Sequence, residues 1–203
     1  MNAQVAGIAE MCGNSRVSSA LFRYPDFLHG QECRFVRQAM NRGTVEAAEI
    51  LNVGIHHQLG IRNASLVEPA ADVIEFIERR VEMCRQDVAA ALSMTLGERE
   101  GAGFIRYPSG GFYKLHRDRG TDAHWPSAAR RAAAVVIFLN SSRQGSREAG
   151  EFDGGVLRLF LPDAEEPVAP EAGLMVAFPA DVLHEVTEVR GGTRDSVVDW
   201  FYF

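Results

Sequence analysis

Residues 132–140 read "AAAVVIFLN", and the fold turns on this stretch. The run is short, rich in β-branched and aromatic residues, and bounded by breakers, which is the signature of a strand. Outward from it lie further runs of the same kind: "GFIRY" (103–107), "FYKLH" (112–116), "GVLRLFL" (155–161), "LMVAF" (174–178), "LHEVTEV" (183–189) and "SVVDWFYF" (196–203). Strands spaced this closely from about Gly101 onward predict a sandwich or a jelly-roll barrel.

The first half reads differently. "GQECRFVRQAMNRG" (30–43) places Cys33, Val36, Ala39 and Met40 on one helical face, with Gly43 as a stop. "AADVIEFIERRVEMCRQDVAAALSMTL" (70–96) reads as one long amphipathic helix with a stripe of Val73, Ile74, Ile77, Val81, Cys84 and Val88. Between them, "EILNVGIHHQLGIRNASLVEP" (49–69) is mixed and expected to hold short strands. No linker or internal repeat separates the halves. The expectation is a single domain over 1–203, with 1–100 as helical support and short strands and 101–203 as the β core.

A chain of 203 residues with 46% hydrophobic and 24% charged residues is long enough, and ordinary enough in composition, for one well-filled core. A formal net charge of −6 argues against nucleic acid or an anionic membrane as partner. Cys12, Cys33 and Cys84 are odd in number and lack Cys-x-x-Cys spacing, so they read as idle thiols in a reduced compartment. The first residues lack a signal-peptide pattern and no apolar stretch would span a bilayer, so the protein is expected to be soluble and cytoplasmic.

Chemistry enters with "FYKLHRDRG" (112–120). On a strand, residues two apart share a face, so His116 and Asp118 project together and could chelate one ion. A third ligand must come from elsewhere: His124, His184, His29, His56 or His57. His184 stands out because "AFPADVLHEVTEV" puts it at the start of a strand after a Pro-containing turn, and His124 in "GTDAHWPS" is the second choice. Two histidines and a carboxylate form a facial triad that suits non-haem Fe(II), although the ligand types do not exclude zinc. Arg194, Ser196, Val198, Trp200 and Tyr202 share a face by period two. An arginine pointing into a barrel is costly unless it meets an anion, such as a dicarboxylate held by both prongs of the guanidinium. The alternative is a surface arginine in a polar turn.

The ordered set Tyr107, Tyr113, His116-x-Asp118, "VVIFLN", "GGVLRLF", "PEAGLMVAF", His184, Arg194 and "VVDWFYF" resembles the Fe(II)/2-oxoglutarate oxygenases of the prolyl-hydroxylase type, including the hypoxia-sensing prolyl hydroxylases and their bacterial relatives. The resemblance covers residues 101–203 firmly and the helical half loosely. It implies an α+β, mainly β fold: a double-stranded β-helix (jelly-roll, cupin-like) barrel braced by N-terminal helices. It also implies that His116, Asp118 and His184 ligate Fe(II), that Arg194 pairs with the distal carboxylate of 2-oxoglutarate, and that Tyr107 donates its hydroxyl to this cosubstrate. Tyr113, Arg131 and Trp200 match positions lining the substrate entrance. The further cosubstrate is O2, with ascorbate as reductant. One departure is Phe138, where the family often has a tyrosine that binds the cosubstrate carboxylate. Asp118 fills the site that a related halogenase leaves to halide, so hydroxylation is the implied outcome.

The implied reaction is hydroxylation of a prolyl or similar residue of a peptide or protein, with a free amino acid or small biosynthetic intermediate as the rival substrate. The basic residues from Lys114 to Arg147 hint that the substrate is anionic. Two readings of other classes stay open: a non-catalytic metal-binding barrel acting as a sensor or interaction module, and a zinc hydrolase. The latter lacks a distinctive general base.

Overall fold

The computed structural model describes residues 20–48, 60–121, 125–143 and 150–203. Strand β1 (Phe22–Tyr24) leads into helix α1 (Gly30–Met40), which buries Cys33, Val36 and Met40 on the face their spacing requires. The Glu32 carboxylate accepts the backbone N–H of His29 at 2.8 Å and so satisfies a donor at the helix start. His29 therefore sits at the head of α1. Strand β2 (Thr44–Ala47) follows directly. Short strands β3 (Arg62–Asn63) and β4 (Ser65–Glu68) form in the mixed segment, whose residues 49–59, with His56 and His57, lie outside the described residues.

The single long helix expected over 70–96 is two helices, α2 (Ala71–Met83) and α3 (Arg85–Leu92). Cys84 breaks them: its φ of −92° and ψ of 1° leave the helical region, and its N–H turns back to Val81 rather than to the residue four before. The apolar stripe survives the break, because Val73, Ile77, Val81, Cys84, Val88 and Leu92 are all buried. Cys33 and Cys84 are free buried thiols, and burial raises both above the usual thiol range, Cys33 to about 11. Cys12 lies outside the described residues. No described helix is long and apolar enough to cross a membrane.

The remaining elements are β5 (Gly103–Tyr107), β6 (Phe112–His116), a 3-10 turn (Pro126–Arg130), β7 (Arg131–Phe138), β8 (Asp153–Gly154), β9 (Leu157–Phe160), β10 (Glu165–Val168), β11 (Met175–Pro179), β12 (Leu183–Val186), β13 (Val189–Gly191) and β14 (Arg194–Tyr202). "LHEVTEV" thus splits into β12 and β13. They form a major sheet of order β1-β11-β7-β14-β5-β4-β2, a minor sheet of order β10-β9-β12-β6-β3, and a β13-β8 pair. All named strand pairs are antiparallel.

All eight residues of β7 are buried, since both faces of the major sheet are covered. Ala133, Val135 and Ile137 pack with Met175, Ala177, Val197 and Phe201 against the helices. Ala134, Val136 and Phe138 face the other way and pack with Leu157, Leu159 and Val186 of the minor sheet. The two facing sheets are the double-stranded β-helix, and the helices brace its outer side.

Charges on the helix side of β14 are buried and paired. Asp195, 1% exposed, accepts from Arg37 Nε at 3.0 Å and from Arg106 Nε at 2.7 Å. Asp199 meets Arg99 Nη1 at 2.5 Å. Gly154 and Gly155 hold positive φ of 78° and 61°, and a Cβ on Gly155 would lie 2.9 Å from Arg194 Cδ, so this glycine makes room for the arginine. Asp195→Ala strands two guanidinium groups that only partly reach solvent. It is expected to lower stability by about 3 kcal/mol, read as a drop in the urea midpoint.

Candidate active site

The antiparallel register of β6 and β12 sets His116 directly opposite His184. Their rings lie 4.1 Å apart, with the Tyr113 ring stacked on His116 at 3.4 Å and the Phe178 edge 5.0 Å from His184. Asp118 is not on the strand as expected. β6 ends at His116, and Asp118 occupies the bend beyond, pinned by the hydrogen bond from Arg119 N–H to Ala180 O. It still reaches the same point: Oδ1 is 3.5 Å from His116 Nε2 and Oδ2 is 3.7 Å from His184 Nε2. One donor atom from each of the three falls within 4.8 Å of the others, and this is the one such cluster among the described residues. His124, the second choice for third ligand, lies outside the described residues.

The donor set fits a divalent transition metal. His116 Nδ1 lies 2.7 Å from Lys114 O, and His184 Nδ1 lies 2.9 Å from Val182 O. A carbonyl can only accept, so both rings carry the proton on Nδ1 and turn a bare Nε2 lone pair to the centre. Burial pushes the His184 pKa down to about 4, which keeps it neutral at pH 7. Burial alone would raise Asp118, but attraction to the His184 and His116 imidazoles when they carry a second proton, together with the Trp200 N–H, outweighs it and holds the carboxyl below the usual carboxylate range.

Across the cavity, the inner face of β14 presents Arg194. It is 2% exposed, and burial lowers its pKa. Its guanidinium lies between the rings of Tyr107 (4.9 Å) and Phe138 (5.3 Å), and Nη1 donates to Ser196 Oγ at 3.0 Å. It forms no ion pair with a described residue, and its buried Nε has no hydrogen-bond acceptor among them. Tyr107 stands opposite it in the β5–β14 register. The cavity shared by the triad and Arg194 has a volume of about 590 Å³ and is lined also by Tyr113, Ile105, Leu157, Trp125 and Leu66. Leu66 pairs with Ile105 and is 39% exposed, so the cavity opens along β4.

Arg131 and Trp200 line this cavity, but both are engaged with protein groups. Arg131 grips Glu100 with Nε and Nη2 at 2.6 and 2.5 Å, donates Nη1 to Asp118 O at 3.1 Å, and lies 3.8 Å over the Trp200 ring. Trp200 Nε1 donates to Asp118 Oδ2 at 3.0 Å. Glu100 was not legible as part of the site, because no periodicity or motif ties it to Arg131. Ser196 was legible only as a residue on the Arg194 face. The basic segment is also largely paired: Arg117 donates to Asp181 O, Arg119 binds the Asp181 carboxylate, Arg143 binds Glu151 at 2.7 Å, and Arg130 stacks on Tyr202 at 4.4 Å. Arg147 lies outside the described residues.

Residues 102–202 match the model of the 2OG-Fe(II) oxygenase superfamily. Among similar proteins is a PKHD-type hydroxylase of Acidovorax ebreus (strain TPSY), 30% identical over 136 residues, covering 62% of this chain and 52% of the relative. Another PKHD-type hydroxylase, from Parvibaculum lavamentivorans, is 27% identical over 192 residues, covering 91% and 74%. The chain thus spans about half the length of the first relative and more of the second. A crystal structure of a Pseudomonas putida prolyl-4-hydroxylase matches at TM-score 0.70 and 26% identity, over 91% of this chain and 93% of that one. The fold is also that of a Trichoplax adhaerens prolyl hydroxylase in complex with a hypoxia inducible factor oxygen degradation domain peptide fragment (TM-score 0.71, 19% identity, 91% and 84% covered). The chain belongs to the 2OG-Fe(II) oxygenase superfamily, and the proteins it is similar to include PKHD-type hydroxylases and prolyl hydroxylases. That superfamily uses Fe(II), 2-oxoglutarate and O2.

Because His184 is held neutral, the unfolded chain takes up a proton below about 6.5 that the fold resists until about 4. The metal-free protein should therefore lose stability as pH falls from about 6.5 to about 4, and His184→Gln should flatten that part of the profile. Urea midpoints across this range check it.

Proposed function

We propose that this protein is an Fe(II)- and 2-oxoglutarate-dependent hydroxylase acting on a prolyl or similar residue of a peptide. The observation that carries the reading is Arg194: a buried guanidinium, unmatched by a described carboxylate, lines the same cavity as a two-histidine, one-carboxylate cluster. A buried cation of this kind is tolerated where an anionic ligand completes it. A dicarboxylate that reaches from Arg194 to the metal meets both requirements.

His116, Asp118 and His184 would hold Fe(II) through Nε2, a carboxylate oxygen and Nε2. Arg194, with the Tyr107 and Ser196 hydroxyls beside it, would bind the distal carboxylate of 2-oxoglutarate. When bound, the iron and its cosubstrates supply the oxidising power that decarboxylates 2-oxoglutarate to succinate and CO2 and hydroxylates a C–H bond. The chain orients the reactants and excludes water. The Tyr113 and Phe178 rings wall the histidines, and Phe138, 0% exposed, closes the floor beneath Arg194. Phe138 contributes no hydroxyl there, which leaves Tyr107 and Ser196 as the neutral donors. The substrate would enter along the open side at Leu66. That the Trichoplax neighbour, of the same fold, is in complex with a peptide fragment supports a peptide as the substrate class.

Anaerobic addition of Fe(II) and then 2-oxoglutarate should produce a visible metal-to-ligand charge-transfer band. His184→Ala should abolish the band, and Arg194→Ala should raise the 2-oxoglutarate dissociation constant by about 100-fold, since truncating one side of a buried charge pair costs roughly 3 kcal/mol. A folded, metal-loaded parent without the band would overturn the oxygenase reading and favour a metal-binding module. With the band present, succinate release stimulated by proline-containing peptides but not by free proline supports the peptide substrate, and the reverse points to a small molecule.

A further inference from the structure

The pair Arg131 and Trp200 lines the cavity and also makes contacts that lead to the metal cluster. Trp200 Nε1–H donates to Asp118 Oδ2 at 3.0 Å. Arg131 donates to the backbone carbonyl of the same aspartate at 3.1 Å and covers the Trp200 ring at 3.8 Å. Glu100 accepts two hydrogen bonds from Arg131, at 2.6 and 2.5 Å, and fixes the plane of its guanidinium. Arg131 is 3% exposed and the Asp118 residue 9%, so little water competes for these bonds.

Asp118 needs this support more than the two histidines do. Each histidine lies on a strand, and its ring is locked by a carbonyl two residues before it. Asp118 lies in the bend after β6, outside the ladder, where a free carboxylate could rotate about χ2. From these contacts we infer that Glu100, Arg131 and Trp200 form a relay that fixes the Asp118 carboxylate in one orientation for the metal, making Trp200 and Arg131 positioning residues rather than substrate contacts. The inference rests on the proposed metal site. Outer groups that bind a metal ligand commonly change metal affinity by about 10–100-fold when removed. Trp200 removes rotational freedom from one carboxylate oxygen. Arg131 holds both the aspartate backbone and the indole that caps it, and Glu100 holds Arg131.

The test uses Co(II), titrated into the full chain without 2-oxoglutarate or substrate and followed by its ligand-field bands. Trp200→Phe keeps the aromatic wall but removes the N–H. It should weaken Co(II) binding about tenfold, at the low end of that range, and shift the bands, with the unfolding midpoint of the metal-free protein little changed. Arg131→Lys keeps the charge but loses the fork, and should weaken Co(II) binding several-fold. It also serves as the reporter if Trp200→Phe does not fold. A substrate-lining role moves neither reading, because no substrate is present. Parent-like Co(II) affinity and spectrum in the variants would overturn the relay and leave the oxygenase reading standing. A parent that takes up no Co(II) would overturn the metal site and the relay together.

Discussion

Strand β14 is buried on both faces, and every charge on it must be answered. Its outward side carries Asp195 and Asp199, matched by Arg37 of α1, Arg106 of β5 and Arg99 of the segment between α3 and β5. Its inward side carries Arg194, which has no carboxylate partner among the described residues. A protein that neutralises two buried aspartates with three arginines, yet leaves the adjacent arginine uncompensated, leaves the counter-charge to a ligand. The proposed cosubstrate site therefore follows from the alternation of one strand: Asp195 outward to the helices, Arg194 inward to the cavity.

The metal cluster faces that cation from the other sheet. The histidines on β6 and β12 and the cation on β14 line one cavity between the sheets, the proposed reaction chamber. The histidines are prepared by the same local device, an Nδ1–H to a backbone carbonyl, so binding a metal requires neither a tautomer change nor ring rotation. A purely structural barrel has no use for this pairing of bare imidazole nitrogens with a buried, unanswered cation. A hydrolytic zinc site would need a general base; of the carboxylates lining the cavity, Asp118 belongs to the cluster and Glu100 is bound to Arg131.

Much of this was legible in the chain. The strand runs from 103 onward, the apolar stripes of the helices, and the period-two face carrying Arg194, Ser196 and Trp200 follow from local spacing, because side-chain direction along a strand or helix is set by its own repeat. The helix break at Cys84 was not legible, since the apolar stripe continues through it. β2 and β10 were also missed. "TVEA" and "EEPV" are polar, and their pairing with β4 and β9 is what makes them strands.

The site divides in the same way. Sequence alone determined the residue types: His116 and Asp118 in one short motif, an arginine sharing one face of the last strand with Ser196 and Trp200, and a histidine opening a strand downstream. Tertiary structure decided which histidine stands opposite His116, because cross-strand register belongs to the whole sheet and not to either strand. It also decided that Arg131 closes on Glu100 and Trp200 on Asp118. These partners are distant in sequence: Arg131 meets Glu100 because β7 pairs with β14 and the Glu100 N–H binds Trp200 O, and Trp200 meets Asp118 across the two sheets, so no local repeat could announce them.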